Sequence, residues 1–186
     1  MKKPGSKGEH NLQKKFETEK RAFAFYNSQL LQHLNPEMQQ FISEQEMVFI
    51  STSDAKGECD ASFRAGDNGF VIVLDKKTLL FPEYRGNGVL ASMGNISENP
   101  HIGMFFIDFY QNSIGLHVNG KAEILSNEEL TADLDLSRKI KMSSKKLGSR
   151  KPISWIKVDV EEAYIHCSKH IPLMQKIDKI IHWETD

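Results

Sequence analysis

Residues 81–100 read FPEYRGNGVLASMGNISENP, and their character changes twice. An apolar, strand-like end gives way to YRGNG, and the chain then turns helical until Pro100 stops it. Asn87 is a candidate N-cap, because its side-chain oxygen can accept a hydrogen bond from a first helical turn. Val89, Leu90, Met93 and Ile96 share one face, which predicts a helix over 88–98 that packs on a sheet. The start of such a helix carries free N–H groups and partial positive charge, and both favour an anion. Gly86 and Gly88 allow close approach to the backbone, and Arg85 adds a forked, permanent cation suited to phosphate. Arg64, in the SFRAG segment, reaches the same place if its strand lies alongside. The residues alone leave a second reading open: Gly and Asn are ordinary turn residues, and an arginine at a helix start is often only solvated.

The flanks read as strands. MVFISTS (47–53) and CDASFRA (59–65) enclose a DAKGE hairpin turn, and GDNG (66–69) leads into FVIVLD (70–75) and TLLFP (78–82). Strands joined this closely are most simply antiparallel. HIGMFFIDF (101–109) is a nearly continuous apolar run, as in a strand covered on both faces. IGLHVNGKAEIL (114–125) alternates, with Leu116, Val118, Gly120, Ala122 and Ile124 on one side, and WIKVDVEEAYIH (155–166) does the same with Ile156, Val158 and Val160. Helical patterns occupy 11–33, 36–45 and 127–139, and a short helix is expected within 171–183. About six strands with inserted helices predict a mainly β (α+β) fold, a small antiparallel barrel. Its parts are a flexible start (1–10), an N-terminal helical extension (11–45) and one domain (46–186).

Composition narrows the function classes. The chain has 186 residues, 39% hydrophobic and 26% charged, which is ordinary for a globular protein. Its 24 basic and 25 acidic residues nearly cancel, so nothing global points to nucleic acid or an anionic membrane. The two cysteines, Cys59 and Cys167, form no CxxC pair, which argues against a structural zinc site or disulfide framework. No apolar run is long enough to span a bilayer, and the basic start MKKPGSKGEH leads into no apolar segment of a secretory signal. A cytoplasmic protein is expected.

The stretches DASFRAGDNGFVIVLD (60–75), TLLFPEYRGNGVLASMGNISENPHIGMFFID (78–108) and GLHVNGKAEIL (115–125) resemble the pyridoxamine 5′-phosphate oxidase-related, FMN-binding split-barrel family. The order strand, strand, RGN, helix, NP, apolar strand, VNGKA strand carries the resemblance, which extends over about residues 46–168. It implies a six-stranded split barrel acting as a homodimer, with FMN in a groove at the interface. By position, the phosphate would be held by Ser62, Arg64, Arg85 and Asn87, with Gly86 beside them and Ser92 and Asn95 further along the helix. Val71, Ile72 and Val73 would offer main-chain contacts to the isoalloxazine edge, and Tyr84 would flank the ring or the phosphate. FMN performs the redox chemistry in such proteins, while the protein orients it and excludes water. The implied activity is oxidoreduction through flavin N5 on a small molecule, anionic substrates among the candidates. The vitamin B6 oxidases of the family carry an arginine-x-histidine element, and this chain has no such triplet, so a typical pyridoxine phosphate oxidase is not expected. The family also holds F420-type reductases and haem-degrading proteins, so the alternative is a flavin- or haem-binding protein with no dedicated reaction.

AYIHCSKHIP (163–172) is the other unusual stretch. The H-C-x-x-H spacing of His166, Cys167 and His170 matches no standard metal set, so no metal is assigned. One reading is a strand end before a turn at Pro172. The other sends this strand across the dimer, where His166 and Lys169 line the flavin or substrate pocket. Residues 137–152 hold seven basic residues and no acidic one, either a solvated loop or an attractor for a phosphorylated substrate. Trp155 and Trp183 read as core or interface anchors.

Overall fold

A computed structural model describes residues 4–132, 138, 140, 151–166 and 168–177. They divide into two compact units, one ending at Leu31 and one starting at Gln32.

In the first unit, the helical run expected over 11–33 is two helices, α1 (Lys7–Lys15) and α2 (Glu19–Ser28). A capping box starts α1: Glu9 N donates to Ser6 Oγ at 3.1 Å, and Ser6 N donates to Glu9 Oε1 at 3.0 Å. The break follows from Glu17, which takes a left-handed conformation (φ 56°). Tyr26 on α2 ties back to α1, donating to Glu9 Oε2 at 2.9 Å and accepting from Gln13 at 2.7 Å.

The second unit begins with α3 (Pro36–Glu44), where Pro36 occupies the first turn and Asn35 caps it by accepting from Met38 N at 2.8 Å. Seven strands follow: β1 (Met47–Ser53), β2 (Cys59–Ala65), β3 (Ile72–Asp75), β4 (Thr78–Glu83), β5 (His101–Asp108), β6 (Ile114–Leu125) and β7 (Ser154–His166). All pair antiparallel in one sheet of order β2-β1-β5-β6-β7-β4-β3. The expected count of six is thus corrected to seven. All seven segments read as strands form one, and the FVIVLD segment becomes the short β3, an edge piece that pairs with β4 with a register shift after Val73. The pairing gives an antiparallel sheet, and among the described residues no ladder joins β2 to β3 to close a ring. The two ends nevertheless approach, because Arg64 on β2 reaches Glu83 on β4.

Period-two alternation sets the core. Val48, Ile50, Met104, Phe106, Leu116, Val118, Ile156 and Val158 are all buried, each from a strand whose intervening residues face outward. Ile72, Leu80 and Trp155 form a second cluster with Leu130 of α5 (Asn127–Ala132). Trp155 thus anchors the core, donating its indole N–H to Asn127 Oδ1 at 3.1 Å. Trp183, Cys167 and most of the basic segment 137–152 lie outside the described residues. After β7 come a 3₁₀ turn, Ser168–His170, and a stretch to residue 177 without regular structure, where the sequence predicts a helix. That stretch is fixed by Met174 N donating to Phe109 O at 2.7 Å.

The helix α4 spans Ala91–Glu98, three residues shorter at its start than the sequence predicts. Gly86 (φ 48°), Gly88 (φ 79°) and Leu90 (φ 56°) are all left-handed, so the chain stays unwound through Leu90, which stands at the N-cap with no side-chain cap. Asn87 caps the preceding turn instead, accepting from Val89 N at 3.0 Å. Ile96 is buried as expected, but Val89 is 70% exposed and Leu90 39%. The helix is pinned to the β1 end of the sheet: Asn95 Nδ2 donates to Thr52 Oγ1 at 3.1 Å, Asn99 Nδ2 to Ser53 Oγ at 2.8 Å, and Ala55 N to Glu98 Oε2 at 3.1 Å.

Candidate functional site

The inward side of β2 continues past the core as Asp60, Ser62 and Arg64, which are polar and partly buried. Facing them are the end of β4, the unwound segment 84–90 and the first turn of α4. Between these walls lies an open cleft of about 1170 Å³. Seven of the sequence-predicted residues line it: Ser62, Arg64, Tyr84, Arg85, Gly86, Asn87 and Ser92. Residues about twenty positions apart in the chain, on β2 at one edge of the sheet and on and just after β4 near the other, converge on this cleft.

Arg64 is the organised cation. Its Nε donates to Glu83 Oε1 at 2.6 Å, and its Nη1 donates to Ser62 Oγ at 2.6 Å and to Phe63 O at 3.1 Å. Arg85 is exposed, and its guanidinium has no partner among the described residues. Ser92, buried at the start of α4, donates to Asp60 Oδ2 at 3.2 Å, so its oxygen remains an acceptor. Asn87 keeps its amide donors, since only Oδ1 is engaged. A phosphate monoester fits this donor set: two arginines, the Asn87 amide, the Ser62 hydroxyl and the N–H groups that a helix's first turn leaves without intrahelical partners. An added Cβ at Gly86 or Gly88 would meet no atom within 4 Å, so the backbone there is open to a ligand.

Sequence reading missed the carboxylates. Glu83, 5% exposed, ends an apolar strand with nothing to mark it as Arg64's partner. Glu46 and Lys176, joined at 2.6 Å, also line the cleft but stand far apart in the chain, and no local pattern connects them.

The remaining predicted residues lie elsewhere. Val71 and Ile72 are buried, at 1% and 6% exposure, and Val73 pairs with Leu79 at the β3 edge. Asn95 is engaged with Thr52. His166 belongs to a group on the outward face of β5, β6 and β7: its Nδ1 lies 3.1 Å from His117 Nε2, and His117 is stacked between Phe105 (centroids 4.3 Å apart) and Tyr164 (4.6 Å). Partial burial and the neighbouring His166 hold His117 below the ordinary imidazole pKa. Lys169 is exposed in the 3₁₀ turn. The same face continues in direct register from His117 through Phe105 and Phe49 to Phe63, the last of which also borders the cleft. Phe49 is 42% exposed and Phe63 53%, so this is an aromatic row open to its surroundings.

No curated protein matches the chain. Among solved structures, it is similar to HupZ of Group A Streptococcus, with 23% identity over 70% of this chain and 91% of that one (TM-score 0.51). A variant of the same protein gives 22% identity over 72% and 99% (TM-score 0.53). A Lactobacillus delbrueckii protein described as of pyridoxamine 5′-phosphate oxidase type gives 18% identity over 72% and 95% (TM-score 0.51). At these identities the likeness speaks to the fold alone. No helix among the described residues is long and apolar enough to cross a membrane. The sequence model of pyridoxamine 5′-phosphate oxidase matches residues 34–167, well over half of the chain, a span that takes in the whole sheet, α4 and every described residue lining the cleft except Lys176. The chain belongs to the pyridoxamine 5′-phosphate oxidase family.

Proposed function

We propose that the chain is an FMN-binding oxidoreductase that works as a homodimer. One observation carries the reading: Arg64 and Arg85 converge, with Ser62 and Asn87, on one cleft at the start of α4. The phosphate of FMN would be held there, by the terminal N–H groups of Arg64, the guanidinium of Arg85 and the amide of Asn87. Tyr84 and Phe63, on the walls of the same cleft, offer flat surfaces for a ring. When bound, FMN supplies hydride chemistry at its N5. The protein's own residues bind, orient and shield: buried Ser92 at the start of α4, bonded to Asp60, fixes one wall, and the Arg64–Glu83 link fixes the other. That link, which draws the two ends of the sheet together, supports the split-barrel reading of the fold.

The aromatic row supports the dimer. An apolar stripe across five strands, ending at the cleft, suits burial against a second copy. In this reading His166 and Lys169, which lie outside the cleft of their own protomer, serve the cleft of the other copy and receive a small-molecule substrate there.

The test is a titration of purified protein with FMN, read by flavin fluorescence and absorbance, followed by anaerobic addition of NADH or NADPH. Uptake of FMN and bleaching of its spectrum are expected. Protein that takes up no FMN ends the proposal. Uptake of haem with a Soret band and no flavin turnover supports instead a haem-binding protein on the same fold.

A further inference from the structure

Glu83 is out of place in an anion site. It is the most buried carboxylate at the cleft, with its side chain 7% exposed, and it stands immediately before the YRGNG turn. A buried carboxylate is costly unless paired, and beside a phosphate it repels the ligand. Its partner is the cation that the ligand would use. Of Arg64's five donors, one goes to Glu83, and Nη1 supplies Ser62 and Phe63. No described residue accepts from Nη2. The guanidinium is therefore held by three acceptors, keeps one edge for a ligand, and has its charge already shared. The cleft's other two cations differ: Lys176 is paired with Glu46, whereas Arg85 has no carboxylate partner among the described residues.

We infer that Glu83 sets the strength of the anion seat. It orients Arg64 and at the same time weakens the pull on phosphate, so the phosphorylated ligand is exchanged and not permanently held. This rests on the phosphate reading above and adds to it a residue that acts through Arg64.

Two substitutions separate the effects. Glu83→Gln keeps an acceptor oxygen for Arg64 Nε and removes the negative charge, while Glu83→Ala removes both. The probes are FMN, riboflavin as the flavin without phosphate, and inorganic phosphate as competitor. Glu83→Gln should tighten FMN and inorganic phosphate on the order of tenfold, the effect of one unit charge a few ångströms away in a partly hydrated site, and leave riboflavin unchanged. Glu83→Ala should bring no such gain. A merely structural glutamate would not tighten phosphate while sparing riboflavin. Folded Glu83→Gln protein with FMN affinity equal to or below wild type overturns the inference while the FMN reading stands. Wild-type protein that binds neither FMN nor phosphate takes both down. Should the variants not fold, wild-type protein loaded with FMN decides: concentrated phosphate buffer should strip the flavin during gel filtration, and retention overturns the inference.

Discussion

Arg64 Nε lies 2.6 Å from Glu83 Oε1, and that contact ties β2, one edge of the sheet, to β4 near the other edge. Glu83 is nearly sealed from water, whereas the Arg64 side chain is 21% exposed. Arg64→Ala would strand the buried carboxylate. The expected cost is about 2–3 kcal/mol, below the range for a fully buried pair because Arg64 keeps some water. Urea denaturation of the two proteins measures it, and a difference under about 0.5 kcal/mol, typical of surface substitutions, would show that the pair does not brace the sheet.

Arg85 should behave in the opposite way. It is exposed and makes no hydrogen bond or ion pair among the described residues, so Arg85→Ala should leave the denaturation midpoint nearly unchanged. FMN affinity should fall tenfold or more, the loss of a charged hydrogen bond, while riboflavin affinity holds. Equal FMN affinity in the variant would remove the phosphate role from this residue.

The stacked His117 predicts a pH dependence of stability. Its pKa in the folded protein lies below the 6.5 of the unfolded chain, through partial burial and through His166. Stability from neutral His117 is therefore complete above pH 6.5. It declines as the pH falls through that value towards the lower folded pKa, because the unfolded chain takes up the proton first. His117→Phe keeps a ring between Phe105 and Tyr164 and removes the titration. Melting temperatures from pH 8 to pH 5 should fall more steeply for the wild type than for this variant, and parallel curves would contradict the assignment.

Gly120 tests the sheet itself. It sits at the register shift between β6 and β7, where an added Cβ would collide with the Asp159 carbonyl. Gly120→Ala should cost about 2 kcal/mol or more, since the obstacle is backbone and cannot rotate away. A thermal midpoint within a degree of wild type would show that the bulge relaxes freely.

Phe49 tests association. It stands mid-row between Phe63 and Phe105, already 42% exposed, so Phe49→Lys should not unfold the protomer. If a second copy covers the row, wild-type protein elutes as a dimer in light-scattering chromatography and the variant as a monomer. A variant that remains a dimer places the interface elsewhere.

Much of this arrangement was legible because it depends on local rules. Alternation placed β6 and β7, the runs on either side of the DAKGE turn placed β1 and β2, and the Asp54 side chain in that turn accepts the Lys56 and Glu58 N–H groups as a hairpin turn should. Arg64, Arg85 and Asn87 stood out because their residue types suit an anion. What was not legible depends on distant partners or on backbone state. The start of α4 moved because Leu90 took a left-handed conformation that no propensity assigns to leucine. Glu83 stayed hidden because its meaning comes from Arg64 across the curved sheet.

The strand order also dictates when the cleft can exist. Arg64 and Glu83 are near neighbours in the chain, yet β4 is held in place by β7, with Glu83 opposite Ser154. The cleft between them therefore cannot assemble while β7 is unmade, however early β1 and β2 pair. On the ribosome, the early hairpin waits for the last strand, and ligand binding becomes a report that the whole sheet has been completed.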